Sequence, residues 1–150
     1  MRLPSLAWAM VLLYAGLIWF LSAQSHAPAA LSGLRVNDKL MHLAEYALLA
    51  FLLRHAFMVS LRARNLSQTA VETSLDDAAA KAADRALQWR ILLWTLVCTA
   101  LWGLIDEVHQ SFVPGRDSDP LDWLADLCGA GVGITVHHLW QCWRPSSQRR

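Results

Sequence analysis

The chain has 150 residues, 55% of them hydrophobic, a formal net charge of +1 and a mean hydropathy of +0.30. That length fits one domain, residues 1–150, and the near-neutral charge gives no case for a nucleic-acid partner. The apolar residues are not spread as in a water-soluble core. They gather in four runs, at about 6–23, 40–61, 91–110 and 121–143, each close to the roughly 20 residues that cross a hydrocarbon layer. The expected fold is therefore all-α, a multi-pass transmembrane helical bundle with four spans. Cys98, Cys128 and Cys142 are isolated and odd in number. That argues against a disulfide framework or zinc-type spacing, and the three read as buried, inert thiols.

The first run, Leu6 to Ala23, has the basic start of a signal peptide, with Leu21-Ser22-Ala23 as a conceivable cleavage point. Its length, and the closeness of Trp19 and Phe20 to that point, favour a retained helix. The exit Ser22-Ala23-Gln24-Ser25 is polar, and Pro28 discourages further helix. A short connection, Ser25 to Asn37, leads to the second run, which opens with Asp38, Lys39, His42, Glu45 and Tyr46. In a helix Asp38, His42 and Glu45 share a face at i, i+4, i+7 spacing, with Tyr46 at its shoulder. Glu45 then lies roughly 7–8 Å inside the helix start. A lone carboxylate at that depth must be paired, hydrated or neutralised. Arg54 and His55 come late in the run, where Arg54 is expected to snorkel to the opposite surface.

The connector, 62–90, is the one clearly polar stretch. Ser74 is a plausible N-cap for an Ala-rich helix with Asp76 and Asp77 in its first turn, and Asp77 and Lys81 form an i, i+4 pair. This helix can run straight into the third span, and its charges read as a solvated face. With four spans, one side collects the N-terminus, the connector and the C-terminus, together with ten of the thirteen Lys and Arg. The positive-inside rule puts both termini in the cytoplasm. Trp8, Trp89, Trp94, Trp140 and Trp143 then fall near the inner interface, and Trp19 and Trp123 near the outer one.

Between the third and fourth runs lies the densest polar stretch, 106–126, DEVHQSFVPGRDSDPLDWLAD. Ionisable groups in or beside spans are a functional-site hypothesis by default. Under the alternating topology it meets the start of the second run and the end of the first at the outer face. That side carries three cations (Arg35, Lys39, Arg116) against eight carboxylates: Asp38, Glu45, Asp106, Glu107, Asp117, Asp119, Asp122 and Asp126. So acidic a pocket must bind a cation, neutralise some of its acids, or stay wet. Blander readings hold for several members. Asp119-Pro120 is an N-cap followed by proline at N1, with Asp122 at N3. Pro114-Gly115 is a turn signal. Gly129, Ala130 and Gly133 allow close helix packing. His137 and His138 read as interfacial and His109 as hydrated. Arg116 with Asp106, Glu107 or Asp122 can serve as an ion-pair network that only fixes the bundle.

Three blocks resemble the VanZ-like family of small bacterial membrane proteins. They are Ser22-Ala23-Gln24, similar to an S-x-Q pattern; Asp38-Lys39 with His42 and Tyr46; and Asp106-Glu107, Gln110, Pro114-Gly115-Arg116, Asp122 and Gly129. Asp126 stands where the family pattern often has Asn. The resemblance implies a multi-span bundle in the cytoplasmic (inner) membrane of a bacterium and a link to the cell envelope. It also carries, through the family's namesake, an association with teicoplanin resistance.

The residues support three functional classes. One is an enzyme acting at the outer face on an envelope precursor or lipid-linked substrate. Glu107, Asp122, His42 and Glu45 are its candidate acids or bases, and Arg116 is a grip for an anionic group. Another is a binding or protective protein whose ligand meets Asp38, Asp106, Gln110, Arg116, Asp126, Ser22, Gln24 and Tyr46. The third is a small ion- or proton-coupled transporter, for which no inverted repeat is visible. No cofactor is identified. A divalent cation is weakly supported, because no HExxH-like histidine pair is present. The lipid bilayer is the expected partner, with a homo-oligomer left open.

Overall fold

The computed structural model describes residues 2–24, 38–69, 77–116 and 119–143. These form helix α1 (Arg2–Ser22), α2 (Asp38–Thr69), α3 (Asp77–Gln110) and α4 (Pro120–Trp143), with no strand among the described residues. The Ser25–Asn37 connection, the Ser74 cap, Asp76, Arg35, Asp117 and the C-terminal arginines lie outside the described residues.

Three of the helices contain stretches long and apolar enough to cross a membrane: Leu3–Ser22, Asp38–Arg64 and Ala78–Gln110. Helix α4 is long enough but carries Asp122, Asp126, His137 and His138 along its length, which dilutes its apolar character. The connector helix and the third run are continuous, making α3 34 residues long. At 1.5 Å per residue that is about 51 Å, well beyond a hydrocarbon layer of about 30 Å. Residues 81–86, in the surplus part, are all exposed.

Burial follows the helical repeat. In α1 the inward residues are Ala7, Val11, Ala15, Ile18 and Ser22, spaced three or four apart as one stripe requires. The opposite face leaves Leu12, Leu13 and Phe20 more than 60% exposed. Large apolar surface of this kind is a liability in water and a match for lipid tails. Helix α2 lies at the centre and touches the other three, whereas α1 and α4 make no contact with each other. Helices α2 and α4 run parallel and meet backbone to backbone. A Cβ added at Gly129 or Gly133 would collide with the carbonyls of Leu43 and Ala47. Without a strong hydrophobic force between helices in lipid, such close approach of small residues is what holds a pair together. Buried Thr95 and Thr99 in α3 donate to the carbonyls of Ile91 and Thr95, at 2.7 and 2.8 Å, so neither threonine hydroxyl is stranded.

Two expectations change. Arg54 does not snorkel: it is only 6% exposed, and its Nε donates to Nδ1 of His137, itself fully buried, at 3.2 Å. Small residues on α4 let α2 approach so closely that the arginine is enclosed before it reaches the end of the bundle. The cysteines are free but not uniformly buried: Cys98 is half-buried, and Cys128 and Cys142 are exposed.

Candidate functional site

The ends of α1 and α3 and the starts of α2 and α4 converge at one end of the bundle. The α3 end is closed by tightened turns, with Phe112 N–H donating to the His109 carbonyl and Val113 N–H to that of Gln110. Val113-Pro114-Gly115-Arg116 then forms a turn closed by Arg116 N–H donating to Val113 O at 3.1 Å. Gly115 has φ 82°, so this is the type II geometry that calls for Pro and then Gly. Helix α4 starts as its sequence asks. Asp119 caps it, accepting the Leu121 N–H at 2.9 Å, with Pro120 at the first helical position.

Three carboxylates are anchored here in the same manner. Asp106 accepts on Oδ2 from Ser22 Oγ and from Gln110 Nε2, both at 2.9 Å. Glu107 accepts on Oε2 from the Asp119 backbone N–H at 3.1 Å. Asp126 meets Nδ1 of His42 through Oδ1 at 3.0 Å, an N–H···O bond in the tautomer that protonates Nδ1. In each case the second oxygen (Asp106 Oδ1, Glu107 Oε1, Asp126 Oδ2) is buried with no hydrogen-bonding partner among the described residues. Tyr46 Oη shares that condition, and its ring lies 6.4 Å from that of His42. Buried polar atoms are normally satisfied, so this group of orphans at one end, among the described residues, calls for an explanation.

Lys39 supplies the ion pairs at the rim. Its Nζ lies 2.6 Å from Asp119 and 2.8 Å from Asp122. The ammonium beside Asp119, donating to it, holds that carboxyl below its ordinary value. Arg116, for which an ion-pair network is one of two readings of the sequence, instead donates from Nε to the Gln24 carbonyl at 3.3 Å. It makes no ion pair with Asp106, Glu107 or Asp122.

Of the candidates named from sequence, His42, Glu107, Asp106, Gln110, Asp122, Asp126, Tyr46 and Ser22 are all buried at this one end. Asp38 is exposed, yet its carboxylate still approaches His42 and Asp122. Glu45 is half-buried and makes no ion pair among the described residues. The Gln24 side chain turns back to its own helix, donating to the Phe20 carbonyl at 3.1 Å.

Sequence reasoning missed several supporting contacts. Lys39 reads from the sequence as one of three outer cations and as part of the Asp38-Lys39 block, with no partner assigned, although its place one turn before His42 marks it as the natural partner of an acidic helix start. His109 is not simply hydrated: it stacks on Trp19 with ring centroids 3.8 Å apart and planes 10° from parallel. Trp123 donates from Nε1 to the Ala100 carbonyl at 3.0 Å. Gly103 leaves room for Asp126, since a Cβ there would come 2.7 Å from Oδ2. No local sequence signal announces the last two.

Two sets of donor atoms lie within 4.8 Å of one another: Asp38, His42 and Asp122, and His42, Glu107 and Asp126. One imidazole nitrogen with two carboxylate oxygens is a donor set that suits a divalent cation. It would equally receive an ammonium group, for which carboxylates are the ordinary partners. No curated protein and no solved structure matches the chain. The family model described as VanZ/LLP1 matches residues 6–141; with helices suited to a membrane and the family's polar blocks gathered at one end, the chain belongs to the VanZ/LLP1 family.

Proposed function

We propose that this chain spans the cytoplasmic (inner) membrane of a bacterium four times, with both termini in the cytoplasm. Its carboxylate cluster then faces outward and engages a cell-envelope component. The observation that carries this reading is the half-use of Asp106, Glu107 and Asp126. Each is no more than 7% exposed, with one oxygen held by the protein and the other without a partner among the described residues. A network that served only to fix the bundle would be expected to use both oxygens, since each orphan costs about 1–3 kcal/mol. The chemistry suited to such a cluster is a cationic group: an amine, or a divalent ion carried by an anionic, lipid-linked head.

The parallel, closely seamed α2 and α4 support the fourth span, because Asp122, Asp126 and His137 are turned into protein rather than lipid. The basic bias of the other end supports the orientation. Glu107, Asp122, His42 and Glu45 are the acids and bases available if the ligand is turned over. Arg116, on its turn at the rim, is placed to hold a phosphate. Protection against a teicoplanin-type glycopeptide is the phenotype this engagement would produce, by analogy with the family's namesake.

The test uses protein purified in detergent and incubated with extracted envelope lipids, with retained and released species identified by mass spectrometry. The wild type is expected to retain an envelope species. Glu107→Gln and Asp126→Asn are expected to weaken retention by about tenfold or more, the worth of one charge-assisted bond, while accumulating normally in the membrane. Product formation marks an enzyme, and stoichiometric retention a binder. Undiminished retention by well-inserted variants would sink the reading, and failure of both variants to accumulate would return the cluster to a structural role.

A further inference from the structure

The opposite end of the bundle holds a second site, with arginines set in a mostly apolar lining, that the carboxylate cluster does not explain. A cavity of about 590 Å³ lies between α2, α3 and α4, lined among others by Arg54, Arg62, Arg85, Asp84 and Trp89. That volume falls in the range of small-molecule sites, roughly 300–1,000 Å³. The telling member is Arg54. It is 94% buried by its 6% exposure, bonds only the neutral acceptor Nδ1 of His137, and has no carboxylate at ion-pair distance among the described residues. A guanidinium so enclosed is costly unless an anion meets it. Arg62 and Arg85 are exposed and line the same cavity from α2 and α3, against the single carboxylate, Asp84, among the described lining residues. Arg54 lies roughly 18 Å along α2 from His42, twelve residues at 1.5 Å each, so the two sites are distinct.

We propose that this cavity binds a phosphate-bearing anion, with Arg54 as the buried contact and Arg62 and Arg85 as the outer arms. Guanidinium groups match phosphate oxygens bidentately. Trp89, 69% exposed at the mouth, is the kind of side chain that settles at the headgroup level of a bilayer. The same chemistry is offered by an anionic phospholipid headgroup and by a soluble phosphate compound. The inference does not depend on what the carboxylate end does.

Native mass spectrometry of the delipidated, detergent-purified full chain tests it. The probes are phosphatidylglycerol, phosphatidylcholine and inorganic phosphate. The wild type is expected to hold phosphatidylglycerol in preference to phosphatidylcholine. Arg54→Gln and Arg85→Gln are each expected to weaken that retention about fivefold, the worth of one basic residue near an anionic surface. Displacement by millimolar inorganic phosphate would identify a soluble phosphate compound as the source, and resistance to it a lipid. Arg85 is exposed, so its variant decides the matter even if Arg54→Gln misfolds. Equal retention of the two lipids together with no phosphate adduct overturns the proposal, as does an Arg85→Gln variant that binds like the wild type.

Discussion

Lys39 and Asp119 show how much of the site depends on single side chains. Because the Lys39 ammonium holds the Asp119 carboxyl below its ordinary value, the pair stabilises the fold above the unfolded carboxylate range, near 3.9. That contribution is lost as pH falls through the lower folded value. Asp119→Asn keeps an N-cap acceptor but removes the charge. The variant is therefore expected to melt below the wild type at pH 7, with the gap closing under acid conditions. Tryptophan-monitored melts in detergent across that range check it, and a gap unchanged by acid would contradict the ion pair. At this scale the acidic residues that gather at one end stood out in the sequence, because carboxylates beside apolar runs are conspicuous. It could not assign their partners. Arg116 reads from the sequence either as a counter-charge or as a grip for an anionic group, yet on its type II turn it donates to a backbone carbonyl, while the less conspicuous Lys39 reaches two acids.

Among the helices, the seam between α2 and α4 does most to set the geometry of the site. It fixes Asp126 against His42 and encloses Arg54, and it rests on Gly129 and Gly133 lying against the carbonyls of Leu43 and Ala47. Backbone cannot yield as a side chain can, so Gly133→Val is expected to cost about 1–3 kcal/mol or more. The same change at Gly131, where an added Cβ meets nothing within 4 Å, is expected to be close to neutral. Paired thermal melts compare the two; equal effects would mean that helix propensity, not the seam, sets the cost. The helix positions, the Asp119-Pro120 start and the small-residue packing of α4 were all legible, since caps, breakers and apolar period are local. The burial of Arg54 was not, because it depends on how closely a distant helix approaches.

Taken whole, the molecule has chemically opposite ends joined by an apolar waist whose outward face suits lipid. A cysteine in place of exposed Ser111, in a background where Cys98, Cys128 and Cys142 are serine, reports which way the carboxylate end points. Labelling by an impermeant maleimide is expected in intact cells; labelling only after lysis would reverse the proposed orientation. The bundle, its apolar waist and its polar end could be read from the chain because hydropathy runs and charge counts are additive along it. The second, arginine-lined cavity could not, since its walls come from three helices and no motif unites them.

The absence of contact between α1 and α4 has a mechanical consequence. Helix α1 stands against the bundle like a stave on a cask, tied to the carboxylate end through the Ser22–Asp106 bond and flanked by the Trp19–His109 stack. Its buried stripe packs on Tyr46, Leu49, Leu53 and Ala56 of α2, and Trp8 donates to Ser60, so displacing α1 opens that core but leaves the glycine seam between α2 and α4 in place. The flank beside α1 is therefore the side on which the cluster can be uncovered without parting α2 from α4.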